Sequence, residues 1–187
     1  FKQLIEANKA YNSEINIVSF NYTNVLDKYI KNISDSPLQT WKYNNVNLTL
    51  KINTPIIHVH GFTEEYPIIG VNDASQIACQ ELLQSPILEN TLLKPSCVST
   101  LGQLWHEQAE TAISQSQIVC IYGMSLGATD AKWWRKLVEW LKANDKRHLI
   151  IFWHTATVVN TISTRDKFKA ENGIINKFFS HLYLPPD

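Results

Sequence analysis

Apolar and polar positions along this chain switch repeatedly between the period of a strand and the period of a helix. The run "INIVSF", Ile15–Phe20, is β-branched and uncharged after Glu14, the composition of a short buried strand. In the next segment, "TNVLDKYIKNI", Val25, Leu26, Tyr29 and Ile30 fall at helical spacing, with Asn21 or Thr23 placed to cap the helix. A strand followed by a capped helix is half of a βαβ unit. Before it, "LIEANKAYN" reads as the tail of another helix; after it, Ile33–Pro55 is polar and rich in turn residues. Within that stretch "NLTLKIN" alternates as an exposed or edge strand would. "PIIHVH" and "YPIIGVND" are the next two expected strands, each punctuated by glycine.

From Ala74 onward helical patterns dominate: "ASQIACQELLQ", "SPILENTLL" and "LGQLWHEQAETAIS". The clearest strand follows, "QIVCIYG", and then, after "MSLGATD", a helix "AKWWRKLVEWLKAN". Trp133, Leu137, Trp140 and Leu141 share one side of that helix, and Lys132, Arg135, Lys136 and Glu139 fall largely on the other, so the tryptophans belong to a core and not to a base-stacking platform. "RHLIIFWH" predicts a strand, "VNTISTRDKFKAEN" a helix and "HLYLPP" a last short strand. Strands alternating with helices define an α/β class, a Rossmann-like, largely parallel sheet with helices on both faces.

Composition narrows the function classes. At 187 residues the chain is one domain by length, residues 1–187, large enough to bury a core without staples. Lysine plus arginine and aspartate plus glutamate balance at 17 each, so no general basic field recruits nucleic acid. No apolar run approaches the ~20 residues a membrane helix needs. The three cysteines, Cys79, Cys97 and Cys120, are scattered, with no C-x-x-C, which points to a reduced, cytoplasmic protein without a zinc ribbon.

Three places carry candidate chemistry. Asn21 ends the first buried strand, where its amide offers two donors and an acceptor at the carboxyl edge of the sheet. His58 and His60 end the second; as i and i+2 on a strand they would share a face, open to a metal or a substrate, with further metal ligands wanting. One histidine packed and the other, beside Gly61, facing the cleft as a general base is the preferred arrangement, and His60 is that base. The third place is "YGMSLGATD", Tyr122–Asp130, where a strand-end glycine and a small hydroxyl precede a helix opening, able to receive a ribose or phosphate on backbone N–H groups. His106, His148, His154 and His181 stand singly and read as structural or surface residues.

In this order, "FNYTNVLDKY", "IIHVHGF" with "YPIIGVND", and "CIYGMSLGATDAKWW" closely resemble the AbiH family of phage abortive-infection proteins, itself similar to a branch of the sirtuin-like NAD-binding fold. The likeness runs from about Ile15 to about Trp153. It implies that Asn21 and His60 flank the nicotinamide ribose of NAD, with Tyr22, Thr23 and Gly61 beside them, and that Gly123 and Ser125 lie along the adenosine half. It further implies an antiviral NAD-cleaving or nucleotide-sensing protein without a bound metal, answering to a phage protein and able to form homo-oligomers. A metal-dependent phosphoesterase or nuclease working through His58 and His60 is the third reading. Lysine deacetylation is disfavoured, because deacetylases of that fold carry a four-cysteine zinc module. The family's glycine-rich turn near the N-terminus is not found in the sequence, so the chain reads as an N-terminally truncated fragment.

Overall fold

The computed structural model describes residues 12–34, 39–43, 46–64, 67–79, 81, 84–99, 103–153 and 163–180. It is a mixed α/β chain with short, mostly parallel strand pairings and helices between them. Two compact units divide it, residues 1–68 with 100–109, and residues 69–99 with 110–187.

In the first unit the expected strand "INIVSF" is two strands, β1 (Asn12–Ile15) and β2 (Val18–Ser19), which join different sheets. Asn53 explains the hand-over: its Nδ2 donates to Glu14 Oε2 and to Asn16 Oδ1, both at 3.0 Å, while its N–H reaches the Ile15 carbonyl at 2.9 Å. Held at Asn16, the chain re-enters pairing two residues later, where the Ile57 N–H donates to the Ile17 carbonyl at 2.9 Å. Helix α1 (Val25–Ser34) follows β2. The residue in its cap position is Asn24, whose carbonyl accepts from the Lys28 N–H at 3.1 Å, so neither Asn21 nor Thr23 begins the helix.

Strand β3 (Gln39–Tyr43), in the stretch expected to be turns, runs antiparallel to β4 (Val46–Ile52), and β4 is parallel to β1 on its other side. The segment "NLTLKIN" is thus the central strand of its three-stranded sheet and not an edge, its alternation reflecting a pleat with partners on both sides. Strand β5 (Ile57–His58) pairs parallel to β2, with Val18 opposite Ile57 and Ser19 opposite His58. Ile30, Ile56, Val59, Ile68 and Ala109 are buried here.

In the second unit "YPIIGVND" makes a single parallel bridge between Val71 and Leu93 in place of a strand. Gly70, at φ +157°, passes so close to the next segment that a Cβ there would meet the Leu92 carbonyl oxygen at 2.1 Å, which only glycine permits. Where a helix is expected from Ala74, Ala74–Gln76 form a 3₁₀ turn capped by Asp73, whose Oδ1 accepts the Ser75 N–H at 2.7 Å and whose carboxyl is held below its ordinary value by the Ser75 hydroxyl and then by that N–H. Ile77 is already extended and ends it. Two short helices come next, α2 (Pro86–Leu92) and α3 (Lys94–Cys97).

Helix α4 (Gln103–Gln115) belongs to the first unit up to Ala109 and to the second beyond it. Strands β6 (Ile118–Tyr122) and β7 (His148–Phe152) pair parallel along five residues each and flank α5 (Ala131–Lys142) in sequence. As the periodicity predicts, α5 buries Trp133, Leu137 and Trp140, and it adds Ala131, Trp134 and Val138. Glu110 accepts from Lys136 Nζ at 3.0 Å on the polar side. The last helix, α6, covers Thr164–Ser180, starting later and running further than the expected segment. The expected strand "HLYLPP" and most of "LIEANKAYN" lie outside the described residues.

Candidate functional site

The site is assembled where β2 and β5 end side by side. Ser19 and His58 are the last registered pair, so Asn21 and His60 each stand two residues past it on adjacent parallel strands. His60 is not on the strand itself. The chain turns at Val59–His60, with the Gly61 N–H donating to the His58 carbonyl at 3.2 Å, and Gly61 takes φ 68° to complete the turn. The shared strand face expected of His58 and His60 is therefore replaced by a strand-end histidine and a turn histidine.

Several backbone groups around that turn are pinned. The Val59 N–H donates to the Ser19 carbonyl at 3.2 Å, the Ile68 N–H to the His60 carbonyl at 2.8 Å, and the Thr63 N–H to the Tyr22 carbonyl at 2.8 Å. From α4, His106 Nε2–H donates to the Val59 carbonyl at 3.1 Å, a bond that fixes which ring nitrogen carries the hydrogen. Such over-determination is what holds a turn histidine in one place.

His58 and His60 are both buried, at 3% and 4% exposure, but their surroundings differ. His58 sits between two polar groups: Nδ1–H donates to the Asn21 carbonyl at 3.1 Å, and Nε2 lies 2.9 Å from Asp27 Oδ2. Both ring nitrogens are engaged, so His58 has none left for a substrate proton or a metal. His60 lies among rings, stacked with Tyr22 at 5.7 Å, edge-on to Phe20 at 5.5 Å, and 6.5 Å from His106. Tyr22 is anchored in turn, its hydroxyl donating to the Ile68 carbonyl at 3.0 Å. Asn21 and Thr23 are exposed.

Gly123 and Ser125 lie in the second unit, on the loop after β6. Gly123 has φ 69° and open space around its Cα, and Leu126, buried to 1% exposure, takes φ 51°. A left-handed leucine costs about 1–2 kcal/mol. Two bonds on either side hold it there, Lys177 Nζ–H to the Ser125 carbonyl at 2.7 Å and Trp134 Nε1–H to the Gly127 carbonyl at 2.8 Å. Asp130 opens α5 with no side-chain cap bond and accepts instead from Lys94 Nζ at 3.2 Å.

Among the described residues no three His, Cys, Asp or Glu side chains group as a metal site. Burial pushes the Cys97 and Cys120 thiols up from their ordinary value, and Cys97 Sγ donates to the Asn90 carbonyl at 3.1 Å, the opposite of an activated nucleophile. Among the described residues no helix is long and apolar enough to cross a membrane. His154 and His181 lie outside the described residues. Two site residues escaped the sequence reading. Asp27 is spaced for a helix face and gives no sign of the histidine it meets, and His106 stands alone in an amphipathic helix with no motif around it.

Short parallel strand pairs, one of them followed by an asparagine and a buried histidine, make this a mixed α/β protein with a candidate polar site at a strand edge. The chain belongs to the bacteriophage abortive infection AbiH family, whose model matches residues 1–152. That membership supports a role in phage abortive infection. No curated protein and no solved structure matches the chain.

Proposed function

We propose that this chain is an abortive-infection effector that binds NAD and hydrolyses its nicotinamide–ribose bond, the parallel strand pairs being parts of a Rossmann-like, sirtuin-like sheet. The observation that carries the reading is the placement of Asn21 and His60 at matching positions past the ends of β2 and β5, where α/β proteins present ligand-binding groups. In the proposed reaction the bond between ribose C1′ and the nicotinamide nitrogen breaks, a water oxygen bonds to C1′, and the water's proton passes to His60. The products are nicotinamide and ADP-ribose. Asn21, exposed at the edge, orients the water and the ribose hydroxyls; Tyr22, Thr23 and Gly61 line the approach. The reacting end uses the first unit alone, and Gly123 and Ser125 are proposed adenosine contacts on their own loop.

A second reading, a nucleotide-sensing or partner-binding module without turnover, is favoured by the burial of His60 under Tyr22. Nicotinamide release from NAD by the full-length protein, with extract of phage-infected cells as trigger, separates the two. Wild type releasing nicotinamide while folded Asn21→Ala and His60→Ala variants release none supports the hydrolase. Equal release by the variants removes both residues from the reaction, and binding of NAD by wild type without release establishes the sensor.

A further inference from the structure

We propose that Asp27 is a positioning residue, acting through His58 to hold the Asn21 backbone and so aim the Asn21 side-chain amide at the edge shared by β2 and β5. The inference rests on the reading of Asn21 as the ribose-binding group, but its structural part stands on geometry alone.

The line runs from Asp27 Oδ2 to His58 Nε2 at 2.9 Å, and from His58 Nδ1–H to the Asn21 carbonyl at 3.1 Å. On its other side the Asn21 N–H donates to Ser19 Oγ at 3.2 Å. Both backbone groups of Asn21 are therefore spoken for, and its side chain is the only part free to turn. The next residue is fixed as firmly, through the Tyr22 carbonyl and hydroxyl.

Packing does not require this arrangement. The His58 side chain is 2% exposed and lies 4.1 Å, ring centroid to ring centroid, from Phe62. A leucine would fill that space without the cost of burying two ring nitrogens and half-burying a carboxylate. What the imidazole adds is direction, because its two ring nitrogens, fixed in one rigid ring, can tie a helix to a strand-end carbonyl. Asp27 is well placed as the anchor: it lies in the first turn of α1, where a carboxylate is favoured by the helix N-terminus, and α1 is the helix that follows Asn21 directly. The helix thus steadies the residue that precedes it.

The test compares the full-length wild type with Asp27→Ala and with Asp27→Asn, which keeps the size of the side chain. Amide hydrogen exchange reads the structure and nicotinamide release reads the chemistry. Asp27→Ala is expected to speed exchange at the Asn21 and Thr63 amides about tenfold while the amides of Trp134 and Val138 hold their protection, as a local opening does. It is also expected to lower kcat for nicotinamide release about 10- to 100-fold with KM changed less than about twofold, the signature of a misaimed group. If Asp27→Ala loses protection throughout, Asp27→Asn is read in its place. Exchange at Asn21 and Thr63 unchanged in a folded variant, or lost evenly with the rest of the chain in both variants, overturns the proposal. Local opening in a protein whose wild type releases no nicotinamide keeps the positioning line and discards the hydrolase reading.

Discussion

The two units solve the same problem, holding a polar loop still at the end of a short parallel ladder, by different means. In the second unit β6 and β7 pair along five residues each, and α5 contributes three tryptophans, with Trp133, Trp134 and Trp140 all buried. The tryptophan nitrogens are used as ties, Trp134 to the Gly127 carbonyl and Trp140 to the Ser116 carbonyl at 3.1 Å, and Arg147 lies over the Trp140 ring at 5.3 Å. In the first unit β2 and β5 pair along two residues each. Too little ladder is present to hold anything, and the turn at His60 is instead fixed by bonds that the His58 and Ser19 carbonyls accept from the Gly61 and Val59 N–H groups and by bonds that the His106 ring and the Ile68 N–H donate. Volume secures one region and directed polar contacts secure the other. A region held by volume tolerates little change of size, while a region held by direction tolerates little change of backbone angle or donor.

Trp134→Ala strikes the difference hardest. The indole is 1% exposed, and its removal leaves a large cavity and takes the 2.8 Å donor away from the Gly127 carbonyl. A loss of about 3–5 kcal/mol is expected, measured by urea unfolding followed through the remaining tryptophans. A loss below about 1 kcal/mol, the size of a surface substitution, would show that the second unit is not held by packing.

Gly61→Ala is the corresponding change in the first unit. It adds one methyl group, and at φ 68° the new Cβ is strained. The expected cost is about 1–2 kcal/mol, with nicotinamide release falling further than stability does, since His60 is the residue before it. If Gly61→Ala is neutral while Gly123→Ala, at φ 69° with open space around it, is costly, strain matters more in the second unit and the contrast reverses.

The same contrast sets what the sequence could reveal. The second unit is legible because packing writes itself as periodicity: the strands Ile118–Tyr122 and His148–Phe152 and the helix Ala131–Lys142 appear where the apolar pattern puts them. The first unit is legible in its chemistry and not in its geometry. Asn21 and His60 stand out as polar groups ending apolar runs, but a run such as "INIVSF" has the same composition whether it makes one strand or two, and the division at Asn16 depends on Asn53, far along the chain. The partnership of Asp27 with His58 spans 31 residues and obeys no local period. Within the second unit "ASQIACQELLQ" is the exception: it has helical composition, and the 3₁₀ turn capped by Asp73 and the extended Ile77 show where the helix fails. Directed contacts between distant residues leave no pattern in a single sequence.

Lys177→Met gives the finest test, because it removes direction from the region otherwise held by volume. Lys177 Nζ–H donates to the Ser125 carbonyl at 2.7 Å and lies 5.3 Å from the centre of the Trp153 ring, on the far side of the strained Leu126 from the Trp134 tie. Methionine keeps most of the side-chain bulk and discards the charge and the donor, so packing alone changes little. At an exposed position the loss is expected at about 0.5–1 kcal/mol, with Trp153 fluorescence shifted and the unfolding of the buried tryptophans nearly unmoved. If the loss instead matches that of Trp134→Ala, the loop bearing Ser125 depends on a single directed bond as the His60 turn does, and the two units share one strategy after all.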